Sequence, residues 1–547
     1  MEKDEWYVIV YSSFFSLIYH AWFYAYPHKF GIGVDMYSKV HTAILEGIHT
    51  QPVCVEVDIS NGLPAFEMVG QLSTEVKEGK ERIRTALHSV GVILPAKRIT
   101  INLSPANIRK SGTGFDLPTA IAILESIGAI AQDSCKEKLF VGELGLNGQI
   151  LAVNGVLPII SDGVENGILE FVIPKENQNE GKLVKQAKVY AFSHLRDVIA
   201  FLNGKPYEEE AVIQMEEIED YLQKDFLEVR GQQFLKRACE VSASGLHAML
   251  LVGPPGAGKT MIAERLATIL PPMTEAERLE LSKIYSVCGL MKKKRDLMEY
   301  RPFRSPHHTI SVTGLTGGGR IPKPGEISLA HNGVLFLDEL TEFQKSTMEV
   351  LRQPLEEHEI RLVRSSMSVT YPANFLLLAA MNPCNCGYYP DMNRCRCSPA
   401  SIQRYRERIS QPLLDRIDIC VEVPALTFRD LNQKEKMRGE SSAEIQKRVF
   451  ACHQIQCERY KKETFSHNSL IPASRMEEFC YLGKKEENYM EEVYEKMALT
   501  ARTYHKILRV ARTIADLDEQ KEIKLAHLME AVCYRNIDSK FWGGQQA

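Results

Sequence analysis

The run Gly253-Pro254-Pro255-Gly256-Ala257-Gly258-Lys259-Thr260 satisfies every fixed position of the pattern G-x-x-x-x-G-K-[ST]. Its glycines let backbone N–H groups close around phosphate oxygens. Lys259 brings a positive charge to the β and γ groups, and the Thr260 hydroxyl is a ligand for Mg²⁺. Further on, the apolar run Gly333 to Leu337 ends in two adjacent carboxylates, Asp338 and Glu339. Asp338 is suited to the Mg²⁺ shell beside Thr260, and Glu339 to polarising the water that attacks a γ-phosphate. The apolar run Phe375 to Met381 closes on Asn382, a candidate sensor of the same water or phosphate. Arg416 ends the helical pattern Gln411 to Asp415. An arginine there can stabilise transition-state charge in a neighbouring subunit's site, which requires a ring. These residues predict an ATPase that uses ATP and Mg²⁺.

Between Asn382 and Arg416, Cys384, Cys386, Cys395 and Cys397 form two C-x-C pairs. Four thiols so close can complete a tetrahedral Zn²⁺ site. The spacing is not the usual C-x₂-C, and a loop of free thiols is the alternative. An ion between sensor and finger would be structural.

These residues need strands and helices to carry them. His247 to Val252 reads as a buried strand and Met261 to Leu270 as a helix, the context a phosphate loop requires. After Glu339 the pattern predicts a helix from Phe343 to Glu357 and a hairpin from Ile360 to Tyr371. An ATPase core of P-loop type is therefore expected over residues 225–424.

The 547 residues suffice for three to four domains, and 44% hydrophobic with 25% charged residues is ordinary globular composition. A net charge of -4 gives no global signature of polyanion binding. The 13 cysteines are odd in number and mostly scattered, which suits a reducing, cytoplasmic setting and excludes a disulfide framework.

Residues 1–35 differ from the rest. Trp6 to Tyr26 is long enough for a membrane span, but its aromatics are crowded and it lacks a positive n-region and a cleavage site. Gly33-Val34-Asp35 can be encoded by a stretch resembling a bacterial ribosome-binding site directly ahead of Met36. A non-native or untranslated leader is expected, with no membrane partner.

Over residues 36–203, Val53, Val55, Val57 and Ile59 alternate with polar residues as in a half-buried strand. Val76, Ile83, Leu87 and Val90 share a helical face, and Ile99, Ile101 and Leu103 mark a second strand, so an α+β domain is predicted. Residues 204–224 are an acidic linker. Residues 425–547 read as helical: Ser441 and Glu444 have capping-box spacing, and Ile507, Leu508, Ala511 and Ile514 make an apolar face.

The runs Asn102 to Pro118, Val141 to Leu151 and Val172 to Asn177 resemble the proteolytic domain of Lon proteases. Where the Lon pattern has its nucleophilic serine this chain has Gly114, and where it has the partner lysine, Leu157. Neither can supply a hydroxyl or a base, so the domain is expected to be inactive as a protease. The runs Arg304 to Ser311, Pro324 to Glu339, Leu351 to Glu356 and Pro412 to Arg416 resemble the magnesium-chelatase-like AAA+ ATPases. With the Lon-like half, the resemblance is to the ComM/YifB family. It implies an α/β multidomain chain: a Lon-like α+β N-terminal domain, an AAA+ P-loop core and a C-terminal helical lid of magnesium-chelatase type. It also implies a homo-hexameric ring that uses ATP to move branched or single-stranded DNA, aiding integration during natural transformation with recombination proteins as partners. Arg502 matches the family's second-sensor arginine, near the γ-phosphate.

Lys292 to Arg295, the hairpin arginines Arg361 and Arg364, and the loop Gly317 to Arg320 are candidate phosphate contacts, since repetition around a ring would build a charged channel. No zinc-finger spacing, basic zipper or recognition helix is present, so DNA contact is expected to be sequence-nonspecific. A chelatase-like protein remodeller and an ATP-dependent protease are the alternative functions.

Overall fold

The computed structural model describes residues 36–209, 224–291, 296–364, 367–425 and 439–535. The leader, the basic run Lys292 to Arg295 and most of the acidic linker lie outside the described residues.

The N-terminal part is a mixed seven-stranded sheet. Its order is Ala65–Val69, Arg98–Ser104, His49–Ser60, Tyr37–Glu46, Lys138–Phe140, Glu170–Pro174 and Lys188–Phe192. Val53, Val55, Val57 and Ile59 are all buried, as are Ile99, Ile101 and Leu103 on the neighbouring strand. Helices Thr74–Ser89 and Asp116–Ser126 cover that face, joined by an ion pair of Arg82 with the buried Asp116 at 2.7 Å.

The central part is a parallel five-stranded sheet in the order Phe303–Arg304, Val334–Leu337, Leu376–Met381, Met249–Val252 and Ile419–Glu422. Every residue of Met249–Val252, Val334–Leu337 and Leu376–Met381 is buried. Helices and loops cover both faces, which is why these strands read as unbroken apolar runs. Val252 is in register with Met381 and with Glu422, and Leu337 with Ala379. The strand ends carrying Gly253, Asn382 and Asp338 therefore emerge on one edge, where ligands of such sheets bind.

The expected helix from Phe343 to Glu357 is not continuous. A 3₁₀ turn Leu340–Glu342 leaves Phe343 extended, a helix spans Lys345–Glu349, and a separate one, Pro354–Glu357, starts on its proline. Pro354 has no N–H to donate back, so it begins a turn and does not continue one. The hairpin is present as Glu359–Arg364 paired with Met367–Pro372.

The C-terminal helices pack on the central sheet. Ser441 and Glu444 form the expected capping box at the start of helix Ser442–Arg459. Helix Ala501–Leu517 buries Ile507, Leu508, Ala511 and Ile514. A buried polar chain ties this helix to the strand entering the phosphate loop: His247 is 3.0 Å from Asp418 and 2.7 Å from Thr513.

The two larger parts also meet directly. Lys283, on helix Glu275–Val287, makes a buried ion pair with Asp162 at 2.8 Å. The backbone N–H of Leu157 donates to Glu180 Oε1 (3.1 Å) and to Ser286 Oγ of the same helix (3.3 Å). Leu157 is fully buried, and a Cβ on Gly114 would lie 3.2 Å from Val141. These two positions thus serve packing and the docking of the central helix.

Candidate nucleotide site and its surroundings

Helix Lys259–Leu266 starts from Gly258, and a 3₁₀ turn Ala267–Ile269 completes the expected segment. Gly256 and Gly258 have φ of 74° and 87°. A side chain at either would be strained, so the loop's curl toward the helix N-terminus depends on glycine there.

Lys259 is half-buried, and its Nζ donates to Gly253 O (2.8 Å), Pro254 O (3.0 Å) and Asn382 Oδ1 (3.1 Å). Burial lowers the pKa of this amine, opposed by the charges of Asp338 and Glu339. The ammonium is thus held over the loop by exchangeable neutral acceptors, which phosphate oxygens can replace with stronger, charge-assisted bonds. Thr260 Oγ1 donates to Asp338 Oδ2 at 2.7 Å, so the two oxygens expected to bind Mg²⁺ converge. An alcohol and a carboxylate are the hard oxygen donors Mg²⁺ prefers.

Glu339 is exposed and takes a left-handed backbone conformation, φ 51°. Its carboxylate lies 3.6 Å from His308 Nδ1, and its N–H donates to Asp338 Oδ1 at 2.9 Å. His308 carried no role in the sequence reading. It belongs to a loop distant in sequence from Glu339, and no spacing rule connects them.

Arg416 and Arg502 form a second cluster. Arg416 pairs with Glu356 at 2.5 Å, and Arg502 with the same carboxylate at 3.1 Å. Arg416 also donates to Arg352 O and Pro412 O, and Arg502 approaches Asp415 at 3.9 Å. The sequence reading put Arg502 beside the γ-phosphate; its partners here are Glu356 and Asp415, alongside Arg416. Glu356 was not singled out either.

Cys384, Cys386, Cys395 and Cys397 bring their sulfurs within 4.8 Å of one another. All 13 cysteines are free thiols. Burial would raise the pKa of Cys386, but the N–H of Tyr388 and hydrogen bonds with the other three thiols hold it down to about 6. Among the basic candidates, Arg361 is paired with Glu359, and Arg320 reaches Glu75 at 3.5 Å. Among the described residues no helix is long and apolar enough to cross a membrane.

Three family profiles cover most of the chain. The one described as magnesium chelatase, subunit ChlI, matches residues 225–431; subunit ChlI of Mg-chelatase matches 55–177; and magnesium chelatase, subunit ChlI C-terminal, matches 439–535. The chain is 42% identical over 504 residues to competence protein ComM of Haemophilus influenzae, covering 91% of this chain and 97% of that protein. It is 41% identical over 501 residues to YifB of Escherichia coli, covering 92% and 97%. A shorter likeness, 27% over 183 residues, is to the magnesium-chelatase 67 kDa subunit of Heliobacterium mobile, covering 28% of this chain and 27% of that one.

Proposed function

The chain belongs to the ComM/YifB family of magnesium-chelatase-like proteins, and from that premise we propose that it is an ATP-driven DNA motor working as a homo-hexameric ring. Its task on this reading is branch migration that helps incoming strands integrate during transformation or recombination. The observation that supports it best is the meeting of Lys259, Asn382, Thr260 and Asp338 on one sheet edge, in a chain similar along nearly its whole length to a competence protein.

In the proposed cycle the loop Gly253 to Thr260 receives the phosphates, and Lys259 turns from its carbonyl partners to the β and γ oxygens. Thr260 and Asp338 would hold Mg²⁺, which would supply charge neutralisation to the phosphates. Glu339 accepts the proton of the attacking water, Asn382 orients that water or the γ-phosphate, and His308 restrains the Glu339 carboxylate until substrate is aligned. Arg416 and Arg502 face the next subunit's nucleotide, released from Glu356 when that site is occupied. Residues 36–203 act as an inactive Lon-like scaffold, residues 204–224 as a linker, 225–424 as the motor and 425–547 as its lid. The four cysteines hold a structural zinc.

DNA contact runs through phosphates, so affinity should fall log-linearly with salt at similar slopes on unrelated sequences. The likeness to a magnesium-chelatase subunit favours a second reading, a protein remodeller of chelatase type. ATPase rates without DNA and with single strands, duplex and a four-way junction separate the two. Stimulation, strongest on branched or single-stranded DNA, is expected of the motor. A flat response would favour the remodeller.

A further inference from the structure

The loop between Asn382 and helix Pro399–Arg406 touches the phosphate loop at two points. At its start, Asn382 Oδ1 accepts from Lys259. Five residues on, Gly387 (φ +82°) lies against Pro255, and a Cβ there would sit 2.4 Å from Pro255 Cδ and 2.8 Å from its Cγ. No side chain fits that approach. Pro255 directly precedes Gly256, whose positive φ turns the loop's N–H groups inward, so a shift of Pro255 is passed to the groups that would meet phosphate.

The thiols lie beside this contact. Cys384 is fully buried and Cys395 nearly so. The Cys384 sulfur is 3.3 Å from that of Cys386 and 3.8 Å from that of Cys395, and Cys386 and Cys395 are 3.5 Å apart. A disulfide would draw two sulfurs to about 2.05 Å. Four thiolates around a tetrahedral Zn²⁺, at about 2.3 Å each, stand roughly 3.8 Å from one another. The three sulfurs of Cys384, Cys386 and Cys395, at 3.3–3.8 Å, and that of Cys397, within 4.8 Å of them, lie nearer the second arrangement than the first. The donor set is soft and uncrowded by carboxylates, which favours zinc over Mg²⁺ or Ca²⁺. Four thiolates on one Zn²⁺ leave a net charge of about −2, and cations stand close by: Arg394 lies over Tyr388 at 4.1 Å and Arg406 over Tyr389 at 4.8 Å. The loop's own apolar cluster is small, made of the cysteines, Ile402, Tyr388 and Tyr389, and its turns are closed by backbone hydrogen bonds such as Gly387 N–H to Cys384 O (2.9 Å) and Cys395 N–H to Asp391 O (2.7 Å).

We propose that one Zn²⁺ bound by Cys384, Cys386, Cys395 and Cys397 holds Gly387 against Pro255, so that metal occupancy sets the shape of the phosphate loop and with it the affinity for nucleotide. The proposal rests on the zinc reading of these thiols given above and extends it to a control of the nucleotide site.

The test uses the full chain, purified under reducing conditions. Its metal content is measured, and its zinc is removed with a zinc-selective chelator. The protein is then desalted into Mg²⁺ buffer, and the Kd for a fluorescent ADP analogue is read before removal, after it, and after Zn²⁺ is restored. One zinc per chain is expected, with affinity about tenfold weaker on removal and recovered on return. Gly387→Ala supplies a second arm that leaves the thiols untouched, so unfolding of stripped protein does not decide the outcome. It should keep its zinc and bind nucleotide about tenfold more weakly. Absence of zinc from the reduced protein would overturn the metal site. Zinc present, with nucleotide affinity unchanged both in stripped protein and in Gly387→Ala, would overturn the brace and leave the metal site standing.

Discussion

Arg416 and Arg502 converge on a single carboxylate, Glu356, at 2.5 and 3.1 Å. Arg502 and Glu356 are both exposed, so an incoming phosphate competes well with that screened pair, while Arg416 is mostly buried and held by Arg352 O and Pro412 O as well, which positions its charge beside the same acid. If that charge serves the neighbouring subunit, active sites are shared. Mixing Arg416→Ala subunits with Lys259→Ala subunits should then restore part of the ATPase activity that each lacks alone, through interfaces where two intact halves meet. The measurement is turnover against mixing ratio, with mixed rings verified by mass. A flat, inactive curve counts against the trans role.

Lys259 and Glu339 are expected to fail differently. Lys259→Ala removes a charge-assisted bond to phosphate worth about 1.5–3 kcal/mol, so nucleotide affinity should drop roughly ten- to a hundredfold. Glu339→Gln keeps binding and loses about 10²- to 10⁴-fold in kcat, the range for a general base. Equal loss of affinity in both would remove the distinction. His308→Ala should change kcat with little effect on nucleotide Kd, and an unchanged kcat would leave His308 without the restraining role.

The Lys283–Asp162 pair joins helix Val156–Glu165 of the N-terminal part to helix Glu275–Val287 of the central part. Removing Lys283 leaves the Asp162 charge with only the Thr50 N–H and hydroxyl as partners among the described residues, so the cost is expected at or below the low end of the roughly 3–5 kcal/mol found for broken buried pairs. Lys283→Met should lower the melting temperature and open the junction to limited proteolysis near Leu157. A digestion pattern like that of the wild type would show that the pair does not lock the two parts.

His467 gives the C-terminal helices an acid limit. Burial first, then the nearby charges of His453 and Arg301, lower its pKa from 6.5 to about 3. Between those values the unfolded chain binds the proton and the folded chain does not, so stability rises with pH across that window and falls on acidification. From pH 6.5 to pH 5 the loss is about 2 kcal/mol at 1.36 kcal/mol per unit. His467→Gln should flatten the drop in melting temperature over that interval. An equally steep drop would assign the acid sensitivity elsewhere.

The phosphate loop, the acid pair and Asn382 were legible because each lies at the end of a buried strand, and buried parallel strands announce themselves as apolar runs. Their convergence follows from strand order, with Leu376–Met381 between Val334–Leu337 and Met249–Val252. The helix expected over Phe343 to Glu357 is broken because the chain leaves the 3₁₀ turn extended at Phe343 and restarts at Pro354, which cannot continue a helix begun before it. Contacts between distant segments left no local signal. Arg502 and Glu356 are 146 positions apart, and Leu157 and Ser286 are 129 apart. No periodicity reaches that far.

The central claim, that ATP turnover at Lys259 and Glu339 drives movement of branched DNA, is tested most directly on a four-way junction with mobile homologous arms. Wild type or Glu339→Gln protein is added with ATP and Mg²⁺, and both binding and strand exchange are followed by gel. The account predicts that both proteins bind the junction and that only wild type resolves it quickly. If wild type with ATP resolves a bound junction no faster than Glu339→Gln, the DNA-motor reading is contradicted and remodelling of a protein partner becomes the better account.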